Sequence, residues 1–364
     1  MEFNQDFDYS IFDSLIEKNV SFAVYRQARQ QDIHLVLQTS QAALCLDSLF
    51  DLNGKTGFVI APFRISEDTP LIVIHPDICL KGEAAVFSYL SDYHSEGILS
   101  AINIHNQTSV NSFTQYSSDY TTFYSALSEN KLQKLVLSRT LDVERKNSFS
   151  AGRAFHEACG KYHSNFVFLC NTPQTGSWMG ISPELLVSEQ DRVYKTVALA
   201  GTKKVSPEDW DDKNREEQQI VVDYMQQQLD QLCGDVIQSG PFTAQAGYIE
   251  HLKTKFSFKL KDGYKIGDLL ALLHPSPAVC GFPKESAFDF ILKNESYNRR
   301  YYSGFVGPLD IEGSSRLYVN LRCMQMGDDL LRLYAGGGML LSSELKSEWE
   351  ETENKLQTIL SVID

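Results

Sequence analysis

The chain has little positive charge, scattered cysteines and no long apolar run. Its 33 Lys and Arg stand against 47 Asp and Glu, a formal net charge of −14. That balance argues against a nucleic-acid surface, because phosphate binding needs clustered cations. It leaves room for a small anionic substrate, since a pocket can carry its own local positive charge. The seven cysteines are odd in number and never spaced as CxxC, so neither a disulfide framework nor a zinc site is indicated. No apolar stretch approaches the roughly 20 residues of a membrane-spanning helix. The opening MEFNQDFDYS is acidic where a secretory signal would be basic and then apolar. The expectation is a cytoplasmic protein with no membrane span.

What is present is a globular composition: 364 residues, 43% of them apolar, enough for a sizeable core. Short apolar runs such as FAVYR, LVLQT, GFVIAPF and LIVIH give the first hundred residues a β-rich pattern without recognisable chemistry. Tyr120, Phe123, Tyr124 and Leu127 then recur at helical spacing. Four strands follow: KLVLSRTLDV, NFVFLCNTP, SWMGISPELLVSE and VYKTVALAGTKK. With no long helix between every pair, they favour an antiparallel sheet. A polar helix is expected from Ser206 to Cys233, opened by Ser206-Pro207-Glu208. Further helices are expected around Ile266–Leu273 and Lys284–Lys293, flanking LLHPSPAVCGFP. YYSGFVGPLD, RLYVNLRCMQM and LLRLYAGGGM read as a three-strand meander before a closing helix, in which Trp349, Leu356, Ile359 and Leu360 form the apolar stripe. The pattern has no repeat or linker and predicts one mixed α+β domain over 1–364, with a variable part at 1–110 and a core at 111–364.

Taken singly, the candidate functional residues have ordinary explanations. The glycine run Gly336–Gly338 fits neither GxGxxG nor the P-loop pattern and can be a turn. An acidic helix is usually a solvated face. Lys134 can be an exposed strand lysine, His274 a helix-end residue and Arg322 half of an ion pair. Together they say more. ALAGT leads to a helix carrying Glu217, and YAGGG leads to one carrying Glu348 and Glu351, which are i,i+3 neighbours. A few oxygen ligands from two helices, with room left for water and an anion, suit Mg²⁺. Glycines beside them let backbone N–H groups approach a carboxylate.

The order KLVLSR, GISPELL, VALAGT, DKNREEQQIVV, LLHPSPAVCGFP, YSGFVG, LRC, AGGG and EWEETENK resembles the chorismate-utilising enzymes, and among them the isochorismate synthases. The resemblance runs from about Lys134 to the C-terminus. It implies two large, mostly antiparallel sheets packed as a sandwich with helices outside, the site between them, and Mg²⁺ on the C1 carboxylate of chorismate. By motif position Glu217 and Glu351 are implied as metal ligands, with Glu348 acting through water. The chain departs from the family at Asn214, where an outer-shell acidic residue is common. Arg322, Tyr302, Lys355 and the backbone at Gly201, Thr202, Gly336 and Gly338 are implied to receive the substrate's carboxylates. Lys134 is the implied general base that activates water for attack at C2. Glu184 is the implied acid that protonates the departing C4 hydroxyl, and His274 is implied near the enolpyruvyl group or ring hydroxyl.

Sister activities differ at two positions. Relatives that install an amino group at C4 have a lysine where this chain has Ala200, and anthranilate-forming relatives lack the lysine matching Lys134. Water is therefore the expected nucleophile, and no glutaminase subunit is expected. The resemblance thus implies an isomerase that makes isochorismate for menaquinone or siderophore synthesis, most simply as a monomer. Salicylate synthase, which goes on to expel pyruvate, is the alternative. A non-catalytic metabolite-binding protein is disfavoured because acid, base and metal ligands are all retained.

Overall fold

The computed structural model describes residues 7–39, 42–93, 109–246 and 249–363, with the backbone alone at 202, 204, 213, 217, 245, 246 and 249. Its strands are β1 (Phe22–Arg26), β2 (Ile33–Leu37), β3 (Leu44–Leu46), β4 (Gly57–Ala61), β5 (Leu71–Ile74) and β6 (Ile78–Lys81) in the N-terminal part. Then come β7 (Lys134–Glu144), β8 (Phe166–Thr172), β9 (Gly176–Ser182), β10 (Leu185–Gln190), β11 (Val193–Lys204), β12 (Ile237–Ala246) and β13 (Ile249–Phe258). The last five are β14 (Gly281–Phe282), β15 (Phe305–Leu309), β16 (Ser314–Val319), β17 (Cys323–Met326) and β18 (Leu330–Met339). The helices are α1 (Ile11–Glu17), α2 (Glu83–Ser91), α3 (Phe113–Ser128), α4 (Ala151–Lys161), α5 (Asp212–Leu232), α6 (Ile266–Leu273), α7 (Lys284–Asn294) and α8 (Leu345–Leu360).

Among the described residues, two sheets of nine strands face one another. The first runs β14-β7-β18-β17-β9-β8-β1-β2-β6 and the second β12-β13-β11-β10-β16-β15-β4-β5-β3. The pairings are antiparallel, as the closely spaced apolar runs predict. Side chains from both inner faces, among them Phe58, Ile60, Phe166, Phe168, Trp178 and Tyr318, meet in one apolar layer. The outer face of the first sheet is covered by α1, α2, α4 and α8, and that of the second by α5 and α6. Each sheet thus buries both faces, which is why its central strands read as continuous apolar runs. The N-terminal strands β1–β6 are members of both sheets, so the first third of the chain completes the sandwich. Among the described residues no helix is long and apolar enough to cross a membrane.

Two local expectations are corrected. The helix carrying Glu217 starts at Asp212 and not at Ser206: the Asp211 side chain accepts the Asn214 N–H at 2.7 Å and caps it. The strand VYKTVALAGTKK is β11 over its full length, with a register shift at Gly201, whose φ of +67° suits glycine. The expected meander is divided between the sheets. RLYVNLRCMQM breaks at Asn320–Arg322 into β16 in one sheet and β17 in the other, and SWMGISPELLVSE breaks likewise into β9 and β10. The apolar pattern runs through both breaks, since the chain is buried on either side of each.

Candidate active site

Both sheet-changing connections run side by side. The Ile181 N–H donates to the Arg322 carbonyl and the Val319 N–H to the Glu184 carbonyl, each at 3.0 Å. Glu184 and Arg322 therefore sit where the chain passes from one sheet to the other. Arg322 holds φ at +49°, a conformation that costs a non-glycine residue about 1–3 kcal/mol and marks a constrained site. Its Nη1 donates to Thr358 Oγ1 of α8 at 3.2 Å.

The glycine run of β18 forms the floor, and its geometry explains the missing side chains. A Cβ on Gly336 would come within 2.8 Å of the Tyr302 hydroxyl, one on Gly337 within 2.9 Å of Glu348 Oε2, and one on Gly338 within 3.1 Å of Lys134 Cε. Strand alternation puts Gly336 and Gly338 on one face and Gly337 on the other. Tyr302 and Lys134 thus approach the ribbon from one side and the carboxylates of α8 from the other, with only backbone between. Lys355 Nζ donates to the Gly336 carbonyl at 2.8 Å and to Glu351 Oε1 at 2.5 Å, tying helix to ribbon.

Lys134 opens β7 opposite Phe282. Its surroundings include Val221 and Tyr224 of α5, Pro277 and Leu340, which with it line a cavity of ≈ 130 Å³. Glu184 is partly buried, beside the step from β9 to β10. Desolvation pushes its carboxyl up to about 7, against the opposing charges of Lys134, Lys253 and Lys355. At neutral pH a substantial fraction of Glu184 therefore carries a proton, while a lysine that acts on it lies across the site. Tyr302 is buried, stacks on Tyr334 at 5.5 Å, and is pushed by desolvation well above the usual phenol range, so it remains an O–H donor.

On α8 the buried stripe is Glu348, Thr352, Leu356 and Ile359, which places a carboxylate where an amphipathic helix normally has an apolar side chain. The helix is seated by Arg139 of β7, whose Nε donates to Thr352 Oγ1 at 2.7 Å, whose Nη2 pairs with Glu353, and whose guanidinium lies 3.7 Å above the Trp349 ring. Among the described residues, Glu348 Oε2 is buried without a hydrogen-bond partner. Desolvation raises the Glu348 carboxyl, and the charge of Glu351 adds to it. A cation is the natural complement of such an oxygen. Glu348 and Glu351 both lie over Gly337, which offers no side chain in the way. These two residues fit Mg²⁺. Among the described residues no cluster of three or more potential metal ligands is assembled. The side chains of Glu217 and Thr202 lie outside the described residues. Asn214 packs against Gly201 and donates to the capping Asp211 at 2.8 Å.

His274 caps the C-terminal end of α6. Its Nε2 bonds the Pro62 carbonyl at 3.0 Å and its ring meets Phe305 edge-on at 5.1 Å. Desolvation, with Lys284 adding to it, lowers it to about 4, so it is neutral at pH 7. The structure brings another histidine to the site. His251 on β13 reaches the Gly201 carbonyl with Nδ1 at 3.2 Å and feels the charges of Lys355, Glu351 and Arg322. Lys253, two residues on and so on the same strand face, acts on Glu184. Sequence reasoning missed both. The only available signal was their alternation with Leu252, Thr254 and Phe256, which are buried.

The family described as chorismate binding enzyme matches residues 83–364. The chain belongs to the chorismate-binding enzymes. Within that family it is similar to the isochorismate synthase EntC of Escherichia coli K12, at 29% identity over 244 residues, 64% of this chain and 62% of that protein. It is similar also to the isochorismate synthase MenF of Escherichia coli K12, at 32% identity over 260 residues, 65% of this chain and 58% of MenF. The matched stretches thus span less than two thirds of these curated relatives. Of the solved structures, that of MenF, the menaquinone-specific isochorismate synthase from Escherichia coli, superposes with a TM-score of 0.77 at 21% identity, covering 100% of this chain and 93% of that one. This chorismate-binding enzyme therefore shares the two-sheet fold of MenF along its whole length, including the N-terminal third.

Proposed function

We propose that this chain converts chorismate to isochorismate. The observation that carries the reading is the pairing of Lys134, at the glycine ribbon, with a Glu184 carboxyl held near neutrality by burial. Lys134 takes a proton from the attacking water, which adds at C2. Glu184 delivers a proton to the C4 hydroxyl, which leaves as water while the ring double bonds shift. One water enters and one departs, so the change is an isomerisation. A general acid works best with a pKa near the operating pH, and Glu184 meets that condition.

The substrate's carboxylates are received by Arg322, Tyr302 and Lys355 and by backbone N–H groups at Gly201, Gly336 and Gly338. Glu348 and Glu351, with Glu217, would hold Mg²⁺, which when bound neutralises and fixes the C1 carboxylate. At Ala200 no amine is available to attack C2 in place of water. The proposed enzyme therefore needs no ammonia-delivering partner, and its product can serve menaquinone or siderophore synthesis.

The test is product analysis. With chorismate and Mg²⁺ the expected result is a chorismate–isochorismate mixture resolved by chromatography, without pyruvate in a lactate dehydrogenase coupled assay. Stoichiometric pyruvate with salicylate would move the reading to salicylate synthase, and unchanged chorismate would remove it.

A further inference from the structure

Tyr116, on α3, belongs to none of the motifs that carry the resemblance. Its ring is fully buried and meets Trp349 of α8 edge-on at 5.3 Å, while Arg139 covers the same indole at 3.7 Å. The phenol is thereby fixed beside the turn of α8 that carries Glu348. Among the described residues, two buried polar atoms in this region have no hydrogen-bond partner: the Tyr116 hydroxyl and Glu348 Oε2. Both residues are more than nine-tenths buried. Buried polar groups in folded proteins almost always find partners, directly or through ordered water. One of these atoms is a donor and the other an acceptor. They are not bonded to each other, and a water is the ordinary bridge between a donor and an acceptor left unpaired in this way.

Electrostatics agree with this placement. Desolvation holds the Tyr116 phenol well above its ordinary range, and the charges of Glu348 and Glu351 push it further, so it keeps its proton. The Glu348 carboxylate is steadied separately by the Ser343 hydroxyl.

We propose that Tyr116 is a positioning residue of the metal site, whose hydroxyl orients the inner oxygen of Glu348 through a shared water. The proposal rests on Glu348 serving Mg²⁺, as inferred above. Outer-shell donors of this kind typically change metal affinity by about 10–100-fold.

The experiment is calorimetric titration of MgCl₂ into the metal-free full-length protein. Tyr116→Phe removes one oxygen and keeps the ring. It is expected to raise the Mg²⁺ dissociation constant about tenfold, within that range, with thermal unfolding in EDTA unchanged. Tyr124→Phe, from the same helix, removes a hydroxyl that donates to the Leu341 carbonyl at 3.2 Å, and its affinity is expected to match wild type. A third variant with 3-fluorotyrosine at position 116, a stronger donor of nearly the same shape, is expected to shift the constant the other way, and it serves if the phenylalanine variant does not fold. Unchanged affinity in the position 116 variants, or equal loss in Tyr124→Phe, overturns the proposal. Wild-type protein that binds no Mg²⁺ overturns the metal reading and this inference with it. Tight Mg²⁺ binding without chorismate conversion would remove the proposed reaction and leave the role of Tyr116 standing.

Discussion

Gly337 and Glu348 share one small volume: a Cβ on the glycine would lie 2.9 Å from Glu348 Oε2 and 3.5 Å from Glu351 Oε1. Gly337→Ala should therefore push the carboxylates off the ribbon while leaving the core intact, because the far end of a side chain gives way more easily than a strand. The expected outcome is a higher Mg²⁺ requirement for half-maximal turnover with near wild-type thermal unfolding in EDTA. An unchanged Mg²⁺ dependence would mean that the carboxylates do not serve the metal.

Lys134→Ala should lower turnover by about 10²–10⁴-fold, the usual contribution of a positioned base, while chorismate still binds through contacts elsewhere. Glu184→Gln should lose a similar factor at the acid step. Single-turnover kinetics beside equilibrium binding separate the two effects. Retained turnover in Lys134→Ala would remove the assignment of the base.

The pH dependence follows from Glu184. As a general acid it must carry its proton, and with its carboxyl raised to about 7 the value of kcat/KM should fall as pH rises through neutrality. In stability the sign is that of a raised carboxyl. Folding favours the protonated form, so Glu184 destabilises the fold increasingly from its unfolded value of 4.5 up to about 7, and fully above that. Glu184→Gln should accordingly melt above wild type at pH 8, with the gap closing towards pH 4. A gap that is constant across this range would contradict a raised Glu184.

Glu351→Gln should abolish Mg²⁺-dependent activity and also loosen Lys355, whose 2.5 Å carboxylate partner beside the Gly336 carbonyl becomes a neutral amide. Excess EDTA should give the same loss in wild type, reversed by MgCl₂. Full turnover in EDTA would show that these carboxylates are structural.

Much of the candidate site is legible in the chain because its groups sit in short, locally patterned stretches. The glycine run announces a close approach, the carboxylates three residues apart announce one helix face, and the order of motifs from Lys134 to Lys355 is specific. His251, Lys253 and Tyr116 carry no such mark. Each becomes meaningful only through a neighbour far away in sequence: Gly201 for His251, Glu184 for Lys253, and Trp349 and Glu348 for Tyr116. His274, prominent in its motif, is bonded to Pro62 in the fold.

From sequence alone followed the mixed class, the antiparallel strands and the boundaries of α6, because apolar periodicity is a short-range property, while the acid and base candidates came from the resemblance that the order of motifs carries. Which strand joins which sheet was decided by tertiary structure. The apolar pattern does not change where β9 gives way to β10 or β16 to β17, since both sides of each break are equally buried. Those two breaks lie side by side and put Glu184 and Arg322 where the chain passes, enclosed, from one sheet to the other. The desolvation that raises Glu184 is likewise a property of that enclosure and not of the residues beside it in the chain.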